Sequence, residues 1–269
     1  MNKKLISEIK FHNKRFEKGK DLRNGFEKFY KVTIQSQNFF KQCIKNNIKK
    51  NLNKKLKLLD YGCGIDAHGY LGTNKFQQAE NIFDFYKKLK VNFFGIDISN
   101  EAIKIAKKNA KKINFKAIYK VMDAEKLSFD NNFFDVIVGK GIIHHLNYDK
   151  ALSELSRVVN NMGACIFFEP LHHHPIIQLG RKLTPGSRTK DEHPIRYNEK
   201  KIFNKYFNEV NFHTFCLFNI LAFIFHRTFL FPLVLKRLTM LDDFLLKTFP
   251  YLKKYCWIVV IELKSPKLS

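Results

Sequence analysis

Two glycines and an aspartate stand where short apolar segments end, and residues of these types suit the binding of a nucleotide-like ligand. Gly62 and Gly64 follow the apolar segment 57–61. Glycine lets the backbone turn tightly and approach a ligand without a Cβ in the way, and a helix that begins behind the turn offers free amides. Asp97 ends the next apolar segment, where a carboxylate can accept hydrogen bonds from both hydroxyls of a ribose. Together these residues predict a nucleotide-type site.

The spacing of these residues bears on the class of nucleotide. A dinucleotide fingerprint has a third glycine, which would fall at Ala67, and an acid about 20 residues further on. Here Asp97 lies 33 residues beyond Gly64, so the spacing counts against NAD without excluding it. Asp123 follows the third apolar segment, where it could accept from the exocyclic amine of adenine with Ala124 beside the ring. Taken by itself, Asp123 could equally be a solvated loop residue.

Histidines and acids concentrate after the fourth and fifth apolar segments, near the strand ends where open α/β sheets bind ligands. Such side chains can act as general bases with a pKa near neutral. We take His145 and His172 as the first candidates for a base, with a solvated or helix-capping role as the alternative for each. The run 172–174 matches no standard metal-ligand spacing, so no metal site is predicted. The full set is His144, His145, Glu169, His172, His173, His174, Asp191, Glu192 and His193.

Helical stretches separate the apolar segments, and strands that alternate with helices of this length predict a parallel sheet. Ser99 is the expected N-cap of one helix, and Gly163 could supply the C-cap of another. Apolar residues three and four apart in residues 1–55 predict one or two amphipathic helices packed on the core. The apolar segments are LKLLDYG, VNFFGIDIS, FKAIYKVMD, FFDVIVGKG and GACIFFEP.

This pattern divides the chain into a helical cap at 1–55 and a domain at 56–269 with two inserts. The insert at about 171–197 is irregular and rich in histidine, and long loops of this kind are more often functional than idle. The insert at about 220–252 is apolar and rich in phenylalanine. Two last strands are expected at 209–218 and 255–263.

The composition indicates a globular protein with a strongly basic balance. The 269 residues carry a formal net charge of +24, and 45% of them are apolar. Lysines are spread along the whole chain, so a compositional bias explains the charge as well as nucleic-acid binding does, and RNA binding is not expected. The five cysteines form no C-x-x-C pair, and the N-terminus has no secretory apolar run. These features predict a cytoplasmic protein without a disulfide framework.

The apolar insert at 220–252 raises the question of membrane contact. His226 and Arg227 would stand in mid-span and Pro232 interrupts the segment, so a transmembrane helix is rejected. Three interpretations remain: a helical lid over a lipophilic acceptor, a monotopic surface peripheral to the membrane, or plain core packing. In the second, basic residues would meet anionic headgroups. They are Lys236, Arg237, Lys247, Lys253 and Lys254.

Five short motifs follow one another along the chain. They are Asp60-Tyr61-Gly62-Cys63-Gly64, Gly95-Ile96-Asp97-Ile98-Ser99, Asp123-Ala124-Glu125-Lys126-Leu127-Ser128-Phe129, Phe134-Asp135-Val136-Ile137 and His144-His145-Leu146. In this order they resemble the class I S-adenosylmethionine-dependent methyltransferases, particularly the group similar to the ubiquinone and menaquinone biosynthesis C-methyltransferases. The resemblance implies an α/β, Rossmann-like fold with a seven-stranded, mostly parallel sheet, an antiparallel last strand and helices on both faces. One departure is Asp66, which stands where the family has its third glycine, in a loop longer than usual.

The resemblance also implies S-adenosyl-L-methionine as the cofactor and methyl transfer to a small, lipophilic or aromatic acceptor, at carbon or oxygen. RNA methylation and a non-catalytic scaffold that keeps the cofactor-binding fold are the alternatives. By resemblance, the cofactor-binding residues are Asp60, Gly62, Cys63 and Gly64 for the methionine part, Asp97 for the ribose, Asp123 with Ala124 for the adenine, and Lys140 and Gly141 for the sulfonium side; Ile98, next to Asp97, is also expected to bind the cofactor.

Overall fold

A computed structural model describes residues 3–16, 29–50, 55–65, 86, 91–184, 189 and 192–267. Its strands are β1 (Lys57–Tyr61), β2 (Asn92–Asp97), β3 (Ala117–Val121), β4 (Phe134–Lys140), β5 (Val159–Pro170), β6 (Phe207–Phe215) and β7 (Ile258–Pro266). They form one sheet in the order β3-β2-β1-β4-β5-β7-β6. β7 is antiparallel to both of its neighbours, and the other paired strands are parallel. The predicted Rossmann-like sheet with an antiparallel last strand is confirmed.

Helices cover both faces of this sheet. In the described part of the chain they are α1 (Lys3–Phe16), α2 (Ile34–Lys49), α3 (Asn100–Lys112), α4 (Tyr148–Val158), α5 (Pro175–Leu183), α6 (Lys200–Tyr206) and α7 (Phe231–Thr248). Buried side chains of α2 and α3 belong to one apolar core, and those of α4 and α6 belong to a second core on the opposite face. Short 3₁₀ turns lie at Phe29–Thr33, Ile143–His145, Tyr197–Glu199, Asn219–Phe225 and Pro250–Tyr255.

The position of β1 in the sheet explains why its sequence contains a continuous run of apolar residues. Leu58 belongs to the first core and Leu59 to the second, and both are fully buried. Successive side chains of a strand point to opposite faces, so a strand covered by helices on both sides needs apolar residues at every position. β1 therefore lies in the middle of the sheet, where its carboxyl end is flanked by those of β2 and β4.

Of the two helix ends predicted from the sequence, one is confirmed and one is wrong. The Ser99 hydroxyl accepts a hydrogen bond from the amide of Ala102 at 3.1 Å, so Ser99 is the N-cap of α3. Gly163 is not a C-cap, because α4 already ends at Val158 and Gly163 lies inside β5. A Cβ added there would come within 2.7 Å of Cγ2 of Val159. Close packing, rather than helix termination, requires this glycine.

The first insert is more regular than the sequence suggested. Its described residues include α5, which is capped by His174, and its two ends meet at a parallel bridge between Leu171 and Ile195. The amide of His172 donates to the carbonyl of Ile195 at 3.0 Å, and the amide of Ile195 donates to the carbonyl of Pro170 at 3.0 Å. The insert is therefore a loop that closes on the carboxyl end of β5.

The second insert contains α7 and is anchored by one buried aspartate. The carboxylate of Asp242 accepts hydrogen bonds from the amides of Leu217, Phe218 and Asn219 at 2.8–3.1 Å. These bonds tie α7 to the segment that follows β6. Among the described residues, no helix combines the length and the apolar character that crossing a membrane requires.

The two last strands are displaced by a few residues from the predicted positions. β6 begins at Phe207 and β7 begins at Ile258, and the segment 250–255 is a 3₁₀ turn instead of the start of a strand. All five cysteines are free thiols, and their side chains are buried.

Candidate functional site

The glycine turn lies at the carboxyl end of β1 and is held against β2. Gly62 has a φ of +77° and Gly64 a φ of +56°, a region that favours glycine. The amides of Gly62 and Cys63 both donate to the carbonyl of Ile96, at 2.9 and 2.8 Å. A Cβ at Gly62 would lie 2.8 Å from Cγ1 of Ile142, whereas a Cβ at Gly64 would meet no described atom within 4 Å. The turn therefore needs its first glycine for packing, and among the described residues the space above its second glycine is open.

Asp97 stands beside this turn at the end of β2. Its Oδ2 accepts from the amide of Gly64 at 3.0 Å, and its Oδ1 accepts from the amide of Ser99 at 2.8 Å. Desolvation raises the pKa of Asp97 above its ordinary value, although the two amides and the charges of His12 and Arg15 act in the opposite direction. A carboxylate has about four acceptor positions, so further capacity is left for a ligand's hydroxyl groups.

The other predicted cofactor residues lie around the same sheet edge. Asp60 is buried in β1, and Ile98 is half-buried directly after Asp97. The amide of Met122 donates to the carbonyl of Asp97 at 3.0 Å, which brings the segment after β3 alongside. There Asp123 accepts from the amide of Glu125 at 2.8 Å, and the Tyr61 hydroxyl donates to the carbonyl of the buried Ala124.

Lys140 and Gly141 lie at the end of β4, which neighbours β1. Gly141 has a φ of +67°, and its amide donates to the carbonyl of Phe168 at 2.9 Å. The Lys140 ammonium lies 5.3 Å from the centre of the Phe168 ring. The ends of four neighbouring strands thus carry all the predicted cofactor residues.

A buried carboxylate organises the segment after Gly141. Glu169, at the end of β5, has no exposed surface and accepts from the amides of Ile142 and Ile143, both at 2.9 Å. Its Oε2 lies 2.6 Å from Nδ1 of His144. Three donors thus compensate for the burial of this charge, and Glu169 positions the turn that carries both histidines.

His145, the first candidate base, lies in a buried cluster with residues from two distant segments. Its Nδ1 is 3.7 Å from Oε2 of Glu8 on α1, and its Nε2 is 3.9 Å from Oε2 of Glu192 in the first insert. Nε2 of His144 is 4.0 Å from Oε1 of Glu192, and that oxygen also accepts from Arg181 at 2.7 Å. The cluster combines imidazoles that can take up a proton with carboxylates that can orient them.

His172, the second candidate base, is not part of this cluster. It lines a cavity of about 480 Å³ next to it, together with Gln178, Arg181 and Glu192. Desolvation, followed by the neighbouring His173, lowers the pKa of His172 below its ordinary value. Glu192 is thus shared between the cavity and the His145 cluster.

The other histidines and acids of the candidate set have separate positions. His173 is exposed, whereas the buried His174 caps α5 because its Nδ1 accepts from the amide of Ile177. Nε2 of His174 lies 3.1 Å from the carbonyl of Leu217. The amide of His193 donates to the carbonyl of His144 at 3.0 Å. Asp191 lies outside the described residues, as does Asp66 in the long loop after the glycine turn. Within the histidine run 172–174, His174 therefore serves the fold of the insert, whereas His172 lines the cavity and His173 is exposed.

The sequence did not point to the residues that α1 contributes. Glu8 and His12 approach His145, and the side chain of Asn13 accepts a hydrogen bond from the Ser99 hydroxyl at 2.7 Å. α1 therefore touches both the segment after Asp97 and the histidine cluster. Nothing in the local pattern of a polar amphipathic helix marks these side chains, because their role depends on where the helix packs.

Comparison with known proteins identifies the domain. A family model described as a methyltransferase domain matches residues 72–167. This chain carries a methyltransferase domain. The match includes Asp97, Asp123 and His145, whereas Gly62 and Gly64 precede it.

Named relatives support this assignment of the methyltransferase domain over part of the chain. A ubiquinone biosynthesis O-methyltransferase from Pelagibacter ubique is 34% identical over 129 residues, which are 45% of this chain and 48% of the relative. Phosphoethanolamine N-methyltransferase 3 from Arabidopsis thaliana is 35% identical over 96 residues, 36% of this chain and 17% of the relative. The chain thus spans about half the length of the first relative and less of the second.

A solved structure shows the same fold over a longer stretch. Phosphoethanolamine N-methyltransferase 2 from Haemonchus contortus, in complex with S-adenosyl-L-methionine, superposes with a TM-score of 0.56 at 13% identity. The superposition covers 95% of this chain and 60% of the other. At this identity the likeness concerns the fold of the methyltransferase domain and its surroundings.

Proposed function

We propose that this chain transfers a methyl group from S-adenosyl-L-methionine to a small-molecule acceptor. The observation that carries the proposal is the position of Asp97, whose carboxylate is held beside an open glycine turn by the amides of Gly64 and Ser99. The chain's own residues fit the cofactor, because the carboxylate keeps acceptor capacity for ribose hydroxyls and the space above Gly64 is open among the described residues. In this proposal the Asp123 carboxylate, which already accepts from the amide of Glu125, would also accept from the adenine amine.

The cofactor supplies a methyl group that is already activated on a positively charged sulfur. What the protein adds is alignment of the acceptor and exclusion of water, and for a hydroxyl acceptor also a base for the proton. His145 is the proposed base, since it is buried near the end of β4 between two carboxylates. His172 lines the neighbouring cavity and would contact the remainder of the acceptor.

The proposed acceptor has a lipophilic or aromatic body and a reacting oxygen or carbon that meets the histidine cluster. A polar reacting group agrees with the charged lining of the 480 Å³ cavity. Both relatives named above are, by their names, small-molecule methyltransferases.

Asp97→Ala tests cofactor binding directly. We expect the affinity for S-adenosyl-L-methionine, measured by calorimetry, to fall roughly 100-fold, because two charge-assisted hydrogen bonds are together worth about 3 kcal/mol. Desolvation raises the pKa of Asp97, so its carboxylate takes up a proton at a higher pH than an ordinary aspartate does. As the pH is lowered, the affinity of the unaltered protein for S-adenosyl-L-methionine should therefore begin to fall at a higher pH than it would with an aspartate of ordinary pKa. Asp130→Ala, which alters an exposed loop aspartate, is the control and should bind normally. Unchanged affinity in Asp97→Ala would remove the proposed site.

Incubation of the protein with cell extract and methyl-labelled cofactor separates the remaining functions. Label in an extractable small molecule supports the proposal, and mass spectrometry then identifies the acceptor. Label in RNA would instead support RNA methylation, for which salt-dependent RNA binding is the accompanying sign. Cofactor binding without any label transfer would indicate a non-catalytic scaffold.

We further propose that the second insert rests on an anionic membrane surface. Large apolar side chains of this insert are exposed, and basic side chains on α7 lie among them, which is the pattern of a monotopic surface. The exposed apolar residues include Ile224, Phe229, Leu233, Met240 and Phe244. The exposed basic residues of α7 are Lys236, Arg237 and Lys247.

Vesicle sedimentation tests the membrane proposal. With vesicles of phosphatidylcholine and phosphatidylglycerol in equal parts, the double variant Phe229→Glu with Phe244→Glu should bind at least about tenfold more weakly, because each buried phenylalanine contributes about 1.5–3 kcal/mol. Met162→Glu is the matched control, since Met162 is 83% exposed but lies in β5, away from the insert. An equal loss of vesicle binding in the double variant and in Met162→Glu, or unchanged vesicle binding of the double variant, would contradict the proposal.

A further inference from the structure

Two adjacent histidines and a glutamate from the first insert converge in the buried cluster. One ligand atom from each of His144, His145 and Glu192 lies within 4.8 Å of the other two. We propose that these three side chains bind a divalent transition-metal ion such as Zn²⁺, Mn²⁺ or Co²⁺. Two imidazoles and a carboxylate favour these ions over Mg²⁺ and Ca²⁺, which prefer oxygen ligands alone.

The environment of His144 prepares it as a ligand. Oε2 of the fully buried Glu169 lies 2.6 Å from Nδ1 of His144, so the hydrogen bond places the proton on Nδ1. The lone pair is then on Nε2, which faces Glu192 at 4.0 Å. A carboxylate that fixes the tautomer of a histidine in this way is the usual outer partner of a metal-bound imidazole.

Glu192 provides the second, independent indication of a ligand. Its side chain is only 5% exposed, and its Oε2 has no hydrogen-bond partner among the described residues. Arg181 is bound to the other oxygen, Oε1, at 2.7 Å, so Oε2 remains directed at Nε2 of His145, 3.9 Å away. A buried carboxylate oxygen without a donor is costly, and a cation between it and the imidazoles would remove that cost.

The charges around the cluster also favour a cation. Glu8, Glu169 and Glu192 bring three carboxylates together, and among the described residues of the cluster Arg181 is the guanidinium that faces them. Donor atoms that share a tetrahedral ion at about 2.0–2.1 Å lie roughly 3.3–3.5 Å apart. Nε2 of His144 lies 4.0 Å from Oε1 of Glu192, Nε2 of His145 lies 3.9 Å from Oε2, and one ligand atom from each residue lies within 4.8 Å of the others, so the three side chains must move closer together around an ion.

Three protein ligands leave a coordination position for a further oxygen atom. This consequence rests on the proposed function: the methyl acceptor would carry a hydroxyl or carboxylate oxygen that binds the metal ion. A metal-bound hydroxyl loses its proton more easily than a free one, so the ion would prepare the acceptor in place of His145, because a coordinated imidazole nitrogen cannot also take up that proton. The acceptor is then an oxygen-bearing compound, such as a phenol or a hydroxy acid.

Titration of the metal-free protein with Co²⁺ tests the site without any methyl donor. We expect one equivalent to bind with the intense visible absorption bands of a four- or five-coordinate ion. Glu192→Gln keeps the size of the side chain and should lower the Co²⁺ affinity by more than about tenfold. His145→Ala is the second variant. His173→Ala is the matched control, since His173 is exposed and outside the cluster, and its affinity should stay within about twofold.

The outcomes of this titration are decisive either way. Absence of a stoichiometric visible spectrum, or a spectrum lost in His173→Ala but kept in Glu192→Gln and His145→Ala, would overturn the metal site. Binding of S-adenosyl-L-methionine to the same variants, measured by calorimetry, reports independently on folding and on the proposed function. A protein that binds the methyl donor but not Co²⁺ would contradict the metal site alone.

Discussion

Replacing Gly62 by alanine is expected to lower the affinity for S-adenosyl-L-methionine by about 100-fold or more. At a φ of +77° a Cβ costs about 1–2 kcal/mol. The same Cβ would lie 2.8 Å from Cγ1 and 3.1 Å from Cβ of Ile142, so rotation of that side chain cannot clear it, and overpacking adds roughly 1–3 kcal/mol. The turn must shift to relieve the backbone strain and the contact with Ile142, and this shift would displace Gly64 and the Asp97 carboxylate bound to its amide. A loss of about 3 kcal/mol of binding free energy corresponds to about 100-fold in affinity.

Gly180→Ala is the matched control for this substitution. Gly180 lies within α5, where an added Cβ would meet no described atom within 4 Å. Alanine is favoured over glycine in a helix by about 1 kcal/mol, so the free energy of unfolding should stay equal or rise slightly. Calorimetric titration and urea unfolding of both variants provide the measurement. Normal cofactor affinity in Gly62→Ala would show that the turn does not hold the cofactor.

Replacing Glu169 by alanine is expected to reduce the free energy of unfolding by about 3–5 kcal/mol. The substitution removes the acceptor of two amides, Ile142 and Ile143, and of Nδ1 of His144, all within a buried region. Buried donors without an acceptor each cost about 1–3 kcal/mol, although partial relaxation limits the sum. Because Glu169 positions the turn with both histidines, methyl transfer should fall as well, even at temperatures where the variant remains folded.

Glu101→Ala is the control for Glu169, because Glu101 is partly exposed and pairs with Lys104 on the surface of α3. Its effect on stability should stay within about 0.5 kcal/mol. Urea unfolding followed by circular dichroism measures both variants, and methyl transfer is compared at equal folded fraction. A loss of less than about 1 kcal/mol for Glu169→Ala would mean that the turn relaxes and finds other acceptors.

The sequence determined the fold and predicted the cofactor end of the proposed site because both depend on local patterns. The doubly buried strand β1, the glycines at 62 and 64 and the carboxylate at 97 each occupy a strand or a strand end. Parallel strands bring such ends to one edge of the sheet, so the adjacency of these residues follows from the order of strands. The N-cap at Ser99 could be predicted for the same local reason.

Only the tertiary structure decided how the histidine cluster is assembled. About half of the chain separates Glu8 from His145, and Glu192 belongs to a loop that closes on β5. The histidine run 172–174 drew attention by its composition, yet His173 is exposed and His174 caps a helix. Contacts between distant segments depend on how α1 and the insert pack on the sheet. Local spacing does not encode that packing, and it therefore could not reveal which acids face His145.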